Sequence, residues 1–206
     1  PHLRPGHLDR RLVGSSAVRP RPRVSRRPHA RNCQRSAARA RQGSATRAGR
    51  ASRGIAGFSM GGYGALRIAF GNPELFGSVS AHSAALMREP PMGINAGASS
   101  GNVAAQLLTN VFGNPIDEKF WSLNSAFVLA KKNAALLSKM KIYLDCGTED
   151  SFGFFKGAAE MHQTLDALKI PHEFHLYPGG HSVSYLLAHR DASFILHWQT
   201  FESAHK

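Results

Sequence analysis

The fold is decided by a glycine-rich stretch that reads Gly57-Phe58-Ser59-Met60-Gly61-Gly62-Tyr63-Gly64-Ala65-Leu66. The residues before the turn, 54–58, form a short apolar run that is typical of a buried strand. Residues 61–70 then carry apolar side chains at helical spacing. The pattern therefore predicts a strand, a tight turn and a helix, with a serine at the bend.

Ser59 has the surroundings of a catalytic nucleophile, because G-x-S-x-G between a strand and a helix exposes a serine hydroxyl at a strained turn. Gly57 and Gly61 are expected to give the neighbouring backbone room, and Gly62 and Gly64 to let the helix pack closely on the strand. The free N–H of Met60 and the helix dipole could stabilise negative charge on a substrate oxygen. The alternative is a glycine-rich turn with an incidental serine.

A serine hydroxyl needs a base, and the base needs an acid that orients it. With a nucleophile on this kind of turn, the acid follows in the chain and the histidine comes last. Asp150 lies in the loop after a strand predicted at 141–146, so it is the first candidate acid, and Glu149 is the next. Asp145 lies within that strand. A helix-capping carboxylate is the alternative role for Asp150.

His181 is the candidate base, because it follows the last predicted strand, 173–177, through a turn that contains Gly179 and Gly180. Those glycines allow the loop to bend back toward the serine. His82 is a candidate for lining the same site. Four further histidines are expected on strand or helix surfaces: His172, His175, His189 and His197.

The stretch at 57–66 resembles the nucleophile motif G-x-S-M-G-G-x-G-A-L of the esterase D, antigen 85 and feruloyl esterase group of α/β-hydrolases. The resemblance runs from about Arg53 to the C-terminus and favours Asp150 as the acid. It also matches His181 to the G-x-H-S-x-x-Y position of that group. It implies a serine carboxylesterase that acts on a small-molecule ester, without a cofactor. Relatives act on S-formylglutathione, feruloyl or acetyl sugar esters, or mycolyl esters, and the sequence does not select among them.

Strands and helices alternate along the rest of the chain, which predicts a mostly parallel sheet of about four strands with helices on both faces. With the resemblance, this indicates a partial α/β-hydrolase fold. Strands are expected at 54–58, 76–83, 141–146 and 173–177, and helices at 61–70, 103–112, 154–168 and 182–201. An irregular part is expected from Phe120-Trp121 onward, with helical turns at 125–137. The buried stripe of the helix at 154–168 is expected to consist of Phe155, Ala158, Ala159, Met161, Leu165 and Leu168.

Residues 1–52 differ in composition from the domain predicted at 53–206. The first 50 residues hold 14 Arg, no Lys and one acid, Asp9, whereas the remaining 156 residues carry equal numbers of acids and bases. A segment without aromatic residues cannot bury enough apolar surface to order itself, so we expect disorder. It could be a nucleic-acid-binding arm, a transit peptide, a cloning or assembly remnant, or a stretch read in the wrong frame. The absence of readable strands favours the last two, and the absence of aromatic residues for base stacking disfavours the first.

Several classes of protein are disfavoured by motif and composition. The two cysteines, Cys33 and Cys146, make neither a disulfide framework nor a zinc site. The 11 histidines are scattered without metal-ligand spacing, so no metal and no cofactor are expected. No apolar run approaches the ~20 residues of a membrane span. The compartment, cytoplasmic or secreted, is left open.

The first half of an α/β-hydrolase sheet is not readable in residues 1–52, and neither is a loop that could supply a second oxyanion-hole N–H. We therefore expect a weak or inactive esterase, since losing one such donor typically costs ~10²–10³ in rate. The alternatives are a non-catalytic relic or a basic protein associated with nucleic acid through its arm. The strand at 54–58 is expected to have an unpaired edge that allows self-association.

Overall fold

The computed structural model describes residues 49–90 and 109–203, in which four parallel strands form one sheet. The strands are β1 (Gly54–Phe58), β2 (Ser78–His82), β3 (Lys141–Gly147) and β4 (Glu173–Tyr177), and they lie side by side in that order. The helices are α1 (Met60–Gly71), α2 (Glu118–Asn124), α3 (Ala126–Lys132), α4 (Ala134–Leu137), α5 (Phe154–Ala167) and α6 (Val183–Ser203). This confirms the partial α/β-hydrolase fold.

Helices cover both faces of the sheet, and the two faces differ in chemistry. Helices α1 and α5 pack on one face with α3 against them, and α6 packs on β2 and β3 from the other. Alternate side chains of the central strands face the α1 side, including Val79, Ala81, Ile142 and Leu144. The residues between them contact α6 instead, and most of these are polar. The apolar core therefore lies on the α1 side of the sheet.

The core on the α1 side is closely packed and provides most of the hydrophobic stabilisation. Leu66 and Phe70 of α1 and Met161 and Leu165 of α5 are fully buried against β2 and β3. Burying an aliphatic or aromatic side chain of this size stabilises a fold by about 1.5–3 kcal/mol. This layer holds the carboxyl ends of the strands rigidly, which is where the loops of the candidate site begin.

The predicted elements agree with the structure except around α2 and within α5. The part predicted to be irregular at Phe120 is the helix α2, which begins where the Asp117 side chain accepts a hydrogen bond from the Phe120 N–H. In α5, Gly157 and Thr164 are buried, whereas three members of the expected stripe are only half-buried. Gly157 is buried because the Leu86 carbonyl approaches so closely that a Cβ there would lie 2.0 Å from it. The three half-buried residues are Phe155, Ala159 and Leu168.

Some predictions fall on residues that the structure does not describe. Residues 1–48 of the arm predicted at 1–52 lie outside the described residues, so the structure does not test the roles proposed for the arm. Of the helix predicted at 103–112, residues 109–112 are helical and the rest lie outside the description. Among the described residues β1 pairs with β2 alone, which makes it the edge of the sheet there. No helix in the described part is long and apolar enough to cross a membrane.

Candidate active site

The turn between β1 and α1 holds Ser59 in a backbone conformation that few residues adopt. Its φ of 57° and ψ of −123° lie outside the regions that side chains favour, at a typical cost of about 1–3 kcal/mol. Three backbone hydrogen bonds hold it there. The Ser59 N–H donates to the His82 carbonyl at 2.9 Å, and the Ser59 carbonyl accepts from the N–H groups of Tyr63 and Ala85, both at 3.1 Å.

The glycines of the turn do not all have the predicted role. A Cβ on Gly57 would lie 2.1 Å from the Gly61 carbonyl oxygen, and one on Gly62 would lie 2.9 Å from the Ala84 Cβ. These two positions therefore require glycine. The prediction is wrong for Gly61 and Gly64, because a Cβ on either would meet nothing within 4 Å among the described residues.

The three side chains predicted to form the site lie in hydrogen-bond contact. The Oγ of Ser59 is 2.9 Å from Nε2 of His181, and Nδ1 of His181 is 2.7 Å from Oδ2 of Asp150. The Asp150 side chain is fully buried, and its other oxygen accepts a hydrogen bond of 2.8 Å from the Phe152 N–H. A carboxylate held this way requires Nδ1 to carry the proton, which leaves the Nε2 lone pair directed at the serine hydroxyl.

Aromatic rings surround His181 and limit its contact with water. The ring centroid of Phe58 lies 4.7 Å from that of the imidazole, and those of Phe152 and Phe154 lie 4.8 and 5.4 Å away. The His181 side chain is 10% exposed. Such an apolar surround fixes the orientation of the ring and strengthens its interaction with the carboxylate.

The other two candidate acids lie elsewhere. Glu149 is exposed, and its backbone N–H donates to the Gly179 carbonyl. Asp145 points to the α6 side of the sheet. The capping role considered for Asp150 is also not seen, because Gly153 is the N-cap of α5 and no side chain caps it. Of the three carboxylates, Asp150 is therefore the one that contacts His181.

A second polar network is buried between the sheet and α6. Nδ1 of His82 lies 2.6 Å from Oδ2 of Asp145, and Nε2 of His82 lies 3.0 Å from Oγ of Ser193. Asp145 also accepts a hydrogen bond of 3.2 Å from the Tyr185 hydroxyl. His82 is 2% exposed and faces α6, so the expectation that it lines the site is not met. The network instead attaches α6 to the strands, a short distance along the chain from His181.

His197 and the side chain of His172 are buried, although both residues were expected at the surface. His197 lies between the hydroxyls of Ser78 and Ser80, with its Nδ1 2.6 Å from the first and its Nε2 3.0 Å from the second. The side chain of His172 is 3% exposed. The alternation of Ser78, Ser80 and His82 along a central strand was the available signal of a polar buried layer. The sequence did not indicate which helix packs against this layer, because α6 shows no clear apolar face.

Burial shifts the pKa of three groups that lie on or beside the sheet. It raises the pKa of Cys146 to about 12, with a further rise from the Asp150 carboxylate, so the thiol stays protonated and is a poor nucleophile. Burial and the neighbouring Asp145 raise the pKa of Tyr185, which keeps its hydroxyl available as a donor. Burial and the nearby His82 lower the pKa of His197.

Beside the serine are an amide donor and a small apolar pocket. Met60 is the first residue of α1, so its N–H has no acceptor within the helix and can bind a substrate oxygen. The sequence shows no loop in residues 1–52 that could supply a second donor, and residues 1–48 lie outside the described part of the chain. The pocket is lined by Met60, Tyr63, Ala85, Met87, Val111, Phe112, Trp121 and Ser125.

Two polar groups at this pocket have no hydrogen-bond partner in the described structure. They are the indole N–H of Trp121 and the hydroxyl of Ser125, and both side chains belong to buried residues. Buried polar groups are nearly always paired in native proteins. Both atoms are almost completely shielded from solvent.

Comparison with known proteins identifies related sequences and folds. The model of a family described as Putative esterase matches residues 38–191, starting upstream of the resemblance found at residue 53. No curated protein matches the chain.

Solved structures share the fold. A ferulic acid esterase is 26% identical with a TM-score of 0.54, over 75% of this chain and 54% of its own. An S-formylglutathione hydrolase from Agrobacterium tumefaciens is 23% identical with a TM-score of 0.65, over 84% of this chain and 57% of its own. A fluorophosphonate-binding serine hydrolase from Staphylococcus aureus is 19% identical with a TM-score of 0.63, over 83% of this chain and 63% of its own. The chain spans less than two thirds of the length of each of these proteins.

Proposed function

The chain belongs to the family described as Putative esterase, and on that premise we propose that it is a serine carboxylesterase acting through an acyl-enzyme on Ser59. The observation that carries the proposal is the hydrogen-bonded relay from the Ser59 hydroxyl through His181 to Asp150, with distances of 2.9 and 2.7 Å. Acyl transfer by serine requires this order of nucleophile, base and orienting acid.

The first half of the reaction forms the acyl-enzyme. The Ser59 Oγ attacks the ester carbonyl carbon while its proton passes to Nε2 of His181. The carbonyl oxygen becomes an oxyanion and accepts a hydrogen bond from the Met60 N–H. Asp150 stabilises the imidazolium without taking its proton. The tetrahedral intermediate then collapses, and His181 gives the proton to the departing alcohol oxygen.

The second half repeats these steps with water. His181 removes a proton from a water molecule, whose oxygen attacks the acyl carbon on Ser59. Collapse of the second tetrahedral intermediate breaks the bond to Ser59 Oγ, which regains a proton from His181. The products are a carboxylic acid and an alcohol, and the enzyme returns to its starting protonation state.

The pocket beside Met60 supports a preference within the class of small esters. Its apolar lining suits a hydrocarbon group, and the donors of Trp121 and Ser125, which have no partner among the described residues, suit a group that carries an oxygen acceptor. We expect Trp121→Phe to raise KM for esters that carry such an acceptor and to leave KM for a simple acetyl ester unchanged. Equal changes in both KM values would contradict this preference.

Labelling with a fluorophosphonate probe tests the proposed nucleophile. The probe modifies an activated serine, so the parent chain should be labelled and Ser59→Ala should not. Ser138→Ala is the matched control, because Ser138 is an exposed helix-terminal serine whose hydroxyl donates to the Ala135 carbonyl. Labelling that persists in Ser59→Ala, or that never occurs in the folded parent, would rule out an activated Ser59.

A further inference from the structure

A cluster of two histidines and an aspartate lies at the opposite end of the sheet from Ser59. His162 and Asp166 lie one turn apart on α5, and His172 lies just before β4. One potential ligand atom from each of the three lies within 4.8 Å of the others. Because the strands are parallel, the amino end of β4 is far from the carboxyl end of β1, where Ser59 follows. We propose that this cluster binds a divalent transition-metal ion of the zinc type.

The hydrogen bonds of His172 leave a lone pair directed into the cluster. Its Nδ1 lies 2.8 Å from the Ile170 carbonyl oxygen, which can only accept, so Nδ1 carries the proton. In the neutral ring, Nε2 is then the unprotonated nitrogen, and it faces His162 at 2.8 Å and Asp166 at 3.9 Å. Histidine ligands commonly donate their other N–H to a carbonyl in this way, which fixes the tautomer and the ring orientation.

Both imidazole rings are held in place before any ion arrives. The His172 side chain is 3% exposed, so its surroundings limit its rotation. The ring of His162 is stacked on Phe174, with centroids 4.5 Å apart and planes 17° from parallel. Asp166, by contrast, is 61% exposed and can adjust. Binding therefore orders few additional groups, which favours affinity.

The separations between ligand atoms suit a small ion after a minor adjustment. Two bonds of about 2.1 Å at a tetrahedral angle place their donor atoms about 3.4 Å apart. His172 Nε2 already lies 3.9 Å from Asp166 Oδ1. Asp166 Oδ2 lies 3.4 Å from Nε2 of His162, which is not the nitrogen that faces His172, so the exposed Asp166 carboxylate must shift to share an ion with both rings. Nδ1 of His162 lies 2.8 Å from Nε2 of His172, and this distance must widen by roughly half an ångström when an ion replaces the shared proton.

The donor set selects the class of ion. Two neutral imidazoles and one carboxylate suit Zn²⁺, Ni²⁺, Co²⁺ or Cu²⁺, whereas Ca²⁺ and Mg²⁺ prefer an all-oxygen shell. The single carboxylate offsets half the charge of a dication. Because Asp166 faces solvent, water can complete the coordination. The sequence did not reveal this site, because its ligands come from a helix and from the segment before the next strand at spacings that match no metal motif.

The test is titration of the full chain with Zn²⁺ after treatment with EDTA, followed by isothermal calorimetry and thermal melting. We expect one stoichiometric site in the parent and a rise in Tm with zinc, since an ion that binds only the folded state stabilises it. His162→Gln and Asp166→Asn should each weaken binding at least about tenfold and remove the zinc-dependent rise in Tm. Asp166→Asn changes an exposed side chain, so it should fold even if His162→Gln does not.

Matched controls separate this site from the other histidines of the chain. His189→Gln on α6 and Asp191→Asn, whose side chain is 82% exposed, should bind zinc as the parent does. The proposal is overturned if the folded parent shows no stoichiometric zinc site. It is also overturned if the calorimetric curve is the same in the parent, His162→Gln and Asp166→Asn. Neither outcome depends on esterase activity or on Ser59.

Discussion

Gly147, the last residue of β3, lies so close to Gly179 that a Cβ on it would be 2.2 Å from the Gly179 carbonyl oxygen. That carbonyl accepts a hydrogen bond of 3.0 Å from the Glu149 N–H, and the Thr148 N–H bonds the Tyr177 carbonyl at 2.9 Å. The loop that carries Asp150 is therefore attached through its backbone to the loop that carries His181. The distance between Asp150 and His181 therefore depends on position 147, where there is room for the hydrogen atom of glycine and not for a methyl group.

Gly147→Ala should slow fluorophosphonate labelling of Ser59 by about 10²-fold, because moving a catalytic group by about an ångström can cost that much. The methyl group must push the Gly179 backbone away and carry His181 with it. Gly71→Ala is the control, since among the described residues its Cβ would meet the Leu129 side chain alone, at an ordinary 3.8 Å. Equal labelling rates in folded Gly147→Ala and in the parent would contradict the argument.

Asp150→Asn should lower the turnover number for an ester by about 10⁴-fold with little change in stability, because an amide can no longer hold the histidine in the required tautomer. Glu149→Gln alters the neighbouring exposed carboxylate and should leave turnover unchanged. Initial rates of p-nitrophenyl ester hydrolysis, measured beside a melting curve, separate the two. A larger loss in Glu149→Gln than in Asp150→Asn would reassign the acid.

Replacing either of two glycines on α1 by alanine should change the free energy of unfolding, in opposite directions at the two positions. Gly64→Ala should raise the free energy of unfolding by up to about 1 kcal/mol, because alanine favours a helix and no described residue lies within 4 Å of the added Cβ. Gly62→Ala gains the same propensity but forces its methyl within 2.9 Å of the Ala84 Cβ, and overpacking of this kind costs about 1–3 kcal/mol. Urea denaturation of both variants measures the difference, and stabilisation by Gly62→Ala would contradict the packing.

The stability of the fold should fall as the pH drops below the ordinary histidine pKa of about 6.5. Burial and His82 lower the pKa of His197 in the folded state, so the unfolded chain binds the proton more readily there. The stability contributed by the neutral His197 is fully present above pH 6.5 and is lost as the pH falls toward the lowered pKa of the folded state. His197→Gln should be less stable at pH 7 and show a shallower slope of unfolding free energy between pH 7 and 5. An unchanged slope would exclude His197 as a source of the pH dependence.

The edge of β1, which pairs with β2 alone among the described residues, should promote self-association. Ala56 is exposed on that strand, and a lysine on an edge strand opposes pairing with another chain. We expect Ala56→Lys to reduce the concentration dependence of the sedimentation coefficient. Ala135→Lys adds the same charge at an exposed site on α4 and should leave association as in the parent. A parent that stays monomeric at high concentration would exclude pairing through this edge.

Local patterns in the sequence located most of the elements. β1 and β4 have their predicted bounds, because each is a short strand-forming run that is followed closely by turn-forming residues. The helix α2 was missed, since its start depends on one capping aspartate rather than on an apolar period. The polar layer under α6 was also missed. His82 and His197 are buried there only because a distant helix supplies hydrogen-bond partners.

The sequence by itself determined the strand-turn-helix at Ser59, the family, and three candidate residues in the expected order. Tertiary structure alone decided which carboxylate contacts His181 and which glycines are sterically required. It also brought His162, Asp166 and His172 together. The physical reason is range: propensity, periodicity and turn chemistry act over a few residues, whereas Ser59 and His181 are separated by 122 positions. Their contact exists only after the sheet has aligned the carboxyl ends of its strands.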